Sequence, residues 1–246
     1  MSSLFVSLVA VVLLVLVHLF IGKLRFLEGT PRNVWLSIAG GVAVAYVFVH
    51  LLPNLSGAQE VIAEAAEAML GSLERHVYLL ALVGLVVFYG LERAARGSRK
   101  TRRDTKGKDA ASSGVFWLHV TSFAAYNLLI GYLLHSRGLE EGRQFTILFA
   151  IAMGLHFITT DFGLREHYKG SYEGIARWIF SGALIIGWVV SFAGGVSEGV
   201  RAILLAFLAG GVVLNVLKEE LPEERESRFW AFALGAGLYA ALLLAV

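Results

Sequence analysis

The sequence predicts an all-α, polytopic membrane protein with eight transmembrane helices in a single membrane domain over residues 1–246. Hydrophobic residues make up 57% of the 246-residue chain and charged residues only 16%, which is too apolar for a water-soluble globule. The apolar residues fall into eight runs, each close to the ~20 residues with which a helix crosses the hydrocarbon. Little chain remains for a soluble domain, so a large extramembrane catalytic head is excluded.

The eight runs define the expected helices in order. They lie at about 3–22, 34–52, 76–92, 114–134, 144–164, 174–194, 199–217 and 229–246. The first run follows only Met-Ser-Ser, lacks a basic n-region and is too long for a typical h-region, so we expect a retained helix and not a signal peptide. Because the chain has no cysteine, disulfides and thiolate metal sites are excluded.

The distribution of basic residues predicts the orientation. With eight spans, 17 of the 21 Lys and Arg residues lie on one side of the membrane. The positive-inside rule makes that side cytoplasmic and places both termini outside. We therefore expect an integral protein of the plasma (inner) membrane, with the lipid bilayer as its main partner.

Two connections are long enough to carry information. Residues 54–74 are either a short amphipathic helix at the interface or an acidic solvated loop, and both interpretations remain open. Residues 93–113 hold eight basic residues among Gly and Ser, which indicates a flexible cytoplasmic loop. This basic loop is expected to contact anionic lipid. No aromatic residue lies between its charges, so nucleic acid is not an expected partner.

Two segments near opposite ends of the chain are alike. Residues 39–53 read AGGVAVAYVFVHLLP and residues 208–222 read LAGGVVLNVLKEELP. The two helices run in opposite directions in the predicted topology, which indicates an inverted repeat of helices 1–3 and 6–8 around helices 4 and 5. The alternative is that the Gly-Gly pairs are only small-residue packing sites.

Helices 4 and 5 carry polar stripes inside their apolar runs. The residues are His119, Ser122, Tyr126 and Asn127 in helix 4, and His156, Thr159, Thr160 and Asp161 in helix 5. Polar groups in hydrocarbon are costly unless they face a partner, a cavity or water, so the stripes predict a polar pathway or a buried hydrogen-bond network. The hydroxyls have a simpler use, bonding their own backbone one turn back. His18 and Asn215, isolated on helices 1 and 7, are interpreted as packing residues.

The ends of helices 2 and 7 read His50-Leu51-Leu52-Pro53 and Glu219-Glu220-Leu221-Pro222. Together with eight spans, both termini outside and a long loop between helices 3 and 4, they resemble the ZIP family of divalent-metal transporters. The resemblance covers nearly the whole chain. It implies a 3+2+3 inverted-repeat bundle and Zn²⁺ or another divalent cation as substrate, and a homodimer is a further candidate assembly.

The metal-binding motifs depart from the family. Helix 4 of the family typically has His-Asn-x-x-Asp-Gly, and the matching residues 122–127 keep none of those ligands. Helix 5 typically has His-Glu-x-x-His-Glu-x-Gly. Residues 156–163 here leave His156 and Asp161 as candidate ligands, with His119 as a third. Because a desolvated divalent cation needs about four to six donors, the usual binuclear site is expected to be absent or rebuilt.

Three functions remain open. The first is a divergent transporter in which His156 and Asp161, joined by His119 or Ser122, bind one cation. The second is a membrane protein on the same scaffold that acts by interaction or regulation and moves no metal. The third and weakest is an intramembrane hydrolase built from those four residues. Their spacing matches no nucleophile elbow or His-Glu-x-x-His pattern, so the chain is not expected to be an enzyme.

Overall fold

The architecture is a bundle of helices. The computed structural model describes residues 3–23, 34–59, 76–106, 112–140, 142–168, 170–194, 196–220 and 228–245. Within these residues the chain forms eight helices and no strand. The helices are α1 (Ser3–Lys23), α2 (Val34–Gly57), α3 (His76–Lys106), α4 (Ser113–Glu140), α5 (Gly142–Tyr168), α6 (Tyr172–Ala193), α7 (Glu198–Glu220) and α8 (Phe229–Leu244).

Six of these helices, α1 to α6, are long and apolar enough to cross a membrane. The chain is therefore an all-α integral membrane protein, as its composition predicts. In the described part of the chain, α7 is not among the six, and α8 is apolar but has only 16 residues. Eight complete crossings consequently remain a proposal.

Helix α3 is longer than the apolar run that predicts it. It continues to Lys106, so the prediction of a flexible loop from residue 93 is wrong for residues 93–106. The sequence there is rich in Arg, Ala and Lys, which favour helix, and Arg96 Nε donates to Glu92 Oε1 at 2.8 Å one turn away. Residues 107–111 lie outside the described residues.

Helix α2 passes through Pro53, although the sequence predicts its end at residue 52. A proline has no N–H, and its ring clashes with the carbonyl four residues earlier. The wider, π-helical turn Val47–Leu51 precedes Pro53 and relieves this conflict, so the helix continues to Gly57. Most of the predicted interfacial segment, residues 60–74, and the second Leu-Pro pair, residues 221–222, lie outside the described residues.

Three helix pairs meet backbone to backbone at glycines. A Cβ built on any of these glycines would lie 1.8–2.4 Å from a carbonyl oxygen of the partner helix, so only glycine fits. The glycines are Gly41 and Gly235 between α2 and α8, Gly84 and Gly210 between α3 and α7, and Gly131 and Gly187 between α4 and α6. Both Ala-Gly-Gly segments thus lie at close helix crossings.

The helices divide into two neighbourhoods. Helices α1, α4, α5 and α6 pack against one another, with α1 contacting all three of the others. The pairs α2/α8 and α3/α7 form the rest of the bundle, and α2 also packs against α5 and α7. The polar stripes of α4 and α5 therefore lie in the neighbourhood that includes α1.

Candidate functional site

A buried hydrogen-bond network joins α1, α4 and α5. His18 Nδ1 lies 2.6 Å from Oδ2 of Asp161, and His18 Nε2 lies 2.8 Å from Oδ1 of Asn127. The three residues are at most 2% exposed. Each comes from a different helix, so the network depends on the packing of all three.

The direction of the hydrogen bonds follows from Asn127. Its Nδ2 donates to the Phe123 carbonyl at 2.8 Å, so its Oδ1 must face His18 Nε2, and that nitrogen must carry a hydrogen. A second hydrogen lies between His18 Nδ1 and Asp161 Oδ2, since one of these atoms has to donate. The histidine and the aspartate together are therefore neutral, as burial favours.

Aromatic rings enclose the network. The His18 ring lies 4.4 Å from that of Phe157 and 5.8 Å from that of Phe180, measured between centroids. The buried hydroxyl of Tyr172 interacts electrostatically with Asp161 but forms no hydrogen bond of normal geometry. His18 is five residues before the end of α1, which places the network about 7 Å inside that end of the span.

His156 lies outside this network. Its ring packs 5.8 Å from that of Tyr126, and the Thr160 hydroxyl lies 3.4 Å from its Nε2. The hydroxyl of Tyr126 is buried without a hydrogen-bond partner. Asp161 is thus hydrogen-bonded to His18 of α1, and not to His156, which lies on α5 with Asp161.

Two of the predicted pathway hydroxyls bond their own helices. Ser122 donates to the Leu118 carbonyl and Thr159 donates to the His156 carbonyl, both at 2.9 Å. This is the simpler use that the sequence left open. Asn127 is the predicted pathway residue that the network includes.

His119 belongs to a separate contact. It is hydrogen-bonded through Nδ1 to the hydroxyl of Tyr168, and both side chains are buried. Burial, and secondly the carboxylate of Glu92, raise the pKa of Tyr168 above its usual value. Asn127 is eight residues further along α4, a rise of about 12 Å, so His119 and the network lie at different depths.

The three predicted metal ligands therefore differ in their hydrogen bonds, although His156 and Asp161 interact electrostatically, and their role as ligands stays a prediction. Across the described ranges, no three His, Asp or Glu side chains converge in a way that could hold a metal ion. The interpretation of His18 as an isolated residue is wrong, because its ring nitrogens contact Asp161 and Asn127. The sequence does contain a signal for this contact. An imidazole in a strongly apolar helix needs a polar partner as much as a carboxylate does.

A second polar cluster joins α1, α4 and α6 near the other end of α1. Ser7 Oγ lies 3.1 Å from His135 Nδ1 and accepts a hydrogen bond from Trp188 Nε1 at 3.2 Å. The His135 ring also packs 4.3 Å from that of Phe192. This cluster was not predicted, because its partners are far apart in sequence.

The network combines an imidazole, a carboxylate and an amide oxygen. These are ligand types that divalent cations use in proteins. Asp161 faces His18 Nδ1, whereas Asn127 faces Nε2 at the opposite edge of the ring, so a cation could replace only one of these two contacts. No protein-family model matches the chain, and no curated protein matches its sequence.

Proposed function

We propose that the chain is a ZIP-like membrane transporter of a divalent cation, with His18 and Asp161 as ligands in its substrate site and Asn127 holding the His18 ring in place. The observation that supports this most is a carboxylate buried within a membrane span that meets an imidazole from a second helix, which is itself held by an amide from a third. Ionisable groups at such a depth are costly and are most often kept for function.

A cation would bind this site by replacing the hydrogen bond between His18 and Asp161 with bonds from both side chains to the ion. His18 and Asp161 now share a hydrogen at 2.6 Å, so a cation that binds both must take the place of that hydrogen. His18 and Asp161 supply fewer than the four to six donors that such an ion needs. The Tyr172 hydroxyl beside Asp161 and water would complete the shell.

The proposed scaffold has eight spans, both termini outside and an inverted 3+2+3 repeat. The way the helices pair supports this scaffold, because the repeat would turn one observed helix pair into the other. If helices 1–3 correspond to helices 6–8, then the contact of α2 with α8 corresponds to that of α7 with α3. Both contacts are made at glycines of the Ala-Gly-Gly segments, Gly41 in α2 and Gly210 in α7.

Cation uptake into proteoliposomes tests this function. Zn²⁺, Mn²⁺ and Cd²⁺ would be offered outside vesicles that hold a metal-sensitive dye. We expect uptake by the wild type, and its loss in His18→Ala and Asp161→Ala. Ser122→Ala is the matched control, because that hydroxyl bonds only the Leu118 carbonyl of its own helix among the contacts described. Uptake that is indifferent to the first two changes would remove the proposal.

The second candidate is a ZIP-like membrane protein that transports nothing and acts by interaction or regulation. The observation that favours it is that His18, Asn127 and Asp161 satisfy one another and are closed in by Phe157 and Phe180. In that case the wild type gives no uptake of any cation, and Asp161→Ala lowers only the stability. The hydrolase gains no support, since Ser122 donates to its own backbone.

A further inference from the structure

A long groove runs between α1 and α5 on the surface of the bundle. It is partly open and has a volume of about 960 Å³. Its walls are almost entirely apolar and come from only these two helices. Leu14 and Gly154 lie where the helices approach each other, and a Cβ on Gly154 would meet Leu14 Cδ2 at 3.4 Å.

The groove is at least as long as one half of a bilayer. Along α1 it extends from Phe5 to Val17, a rise of about 18 Å. The hydrocarbon of one leaflet is about 15 Å thick. The groove therefore reaches from the interface at the start of α1 through one leaflet and several ångström past the bilayer centre, so it is long enough for an acyl chain.

One end of the groove is polar. Among the sixteen described residues that line it, Arg143 is the only charged one, and Gln144 lies next to it. Both are exposed at the start of α5, beside the start of α1. A guanidinium at the interface binds phosphate, so the polar end is complementary to a lipid headgroup and the apolar length to its chains.

From these features we infer that the α1/α5 groove is a binding site for one phospholipid, with its acyl chains along Leu13, Leu14 and Ile151 and its phosphate at Arg143. In the proposed orientation this is a lipid of the outer leaflet. The inner end of the groove is formed by Val17 and Ile158, next in sequence to His18 and close to Asp161. The inference does not depend on transport.

Filling the groove tests the acyl-chain part. Native mass spectrometry of protein purified with phosphatidylglycerol should show one retained lipid on the wild type. Gly154→Leu should lower retention at least about tenfold, because excluding two methylene groups is enough for that change. Gly182→Leu is the matched control, since nothing lies within 4 Å of a Cβ there. Ile151→Trp is a second filling variant, as that side chain is 45% exposed and can be enlarged without disturbing the core.

The charge at Arg143 tests the headgroup part. The wild type should prefer phosphatidylglycerol to a diacylglycerol with the same chains, and Arg143→Gln should reduce that preference by about three- to fivefold, as for an exposed ion pair. Arg143→Lys should keep it. Equal lipid retention by Gly154→Leu and Gly182→Leu overturns the inference. So does a dimer that Gly154→Leu converts to a monomer, because a second copy of the chain would then occupy the groove.

Discussion

The close contact of α4 and α6 predicts a large effect from a single methyl group. In Gly187→Ala the new Cβ would lie 1.9 Å from the Leu128 carbonyl oxygen, whereas ordinary contact begins at 3.4 Å. The two backbones must therefore separate by about 1.5 Å, the difference between these distances. A gap of 0.5–1 Å already removes a quarter to a half of the dispersion energy of each contact. We expect a loss of about 2–3 kcal/mol, within the usual range for overpacking.

The matched control is Gly182→Ala on the same helix. Nothing lies within 4 Å of a Cβ at Gly182, so the change should be neutral or stabilise by up to about 1 kcal/mol through helix propensity. For a chain of this size, the apparent melting temperature of Gly187→Ala should fall by roughly 4–12 °C. The melting temperature is measured on the detergent-purified protein, with the loss of monodispersity on heating as the signal. If Gly187→Ala melts no lower than Gly182→Ala, the described α4/α6 contact is refuted.

The remaining predictions concern the polar groups and the orientation. His18→Ala and Asp161→Ala should each lower the free energy of unfolding by about 3–5 kcal/mol, because each change leaves its buried partner without a hydrogen bond. The double variant should lose much less than the sum of the two. Additive losses in thermal unfolding would contradict the network. Since burial raises the pKa of Tyr168, the unfolded chain releases its proton first and stability should fall as the pH rises above about 10. Tyr168→Phe should lessen that fall between about pH 8 and pH 11, and an identical fall would argue against a buried phenol. The chain has no cysteine, so single cysteines can report the orientation. Ser197→Cys, outside in the proposed orientation, should react with an impermeant thiol reagent in intact cells, and Thr101→Cys, on the cytoplasmic side, should not. The reverse pattern would invert the proposed orientation.

Each apolar run predicted from the sequence coincides with a helix, and six of these helices are long and apolar enough to cross a membrane, but hydrophobicity did not give the ends of the helices. The run predicted at 114–134 belongs to a helix over Ser113–Glu140. Apolar composition reports which residues face hydrocarbon, whereas backbone hydrogen bonding continues into the interface and beyond. The same reason explains why α3 extends to Lys106 through basic residues that favour helix.

The candidate site was predicted in part. Asp161 was identified as a carboxylate that needs a partner, and Asn127 as a polar neighbour on the adjacent helix. Periodicity gives the face of a residue on its own helix, but it does not give the rotation of one helix against another. His18 and Asp161 are 143 residues apart, so their contact depends on that rotation and could not be read from spacing.

The glycine contacts also constrain how the bundle can change shape. Where Gly131 and Gly187 bring α4 and α6 together, carbonyl oxygens of each backbone sit in the notch left by the missing Cβ of the other. Sliding either helix would drive the flanking side chains into those oxygens, so α4 and α6 are locked as one rigid body. The α1/α5 boundary is built differently: it has a groove along most of its length, and the buried His18–Asp161 hydrogen bond joins the two helices beyond the inner end of that groove.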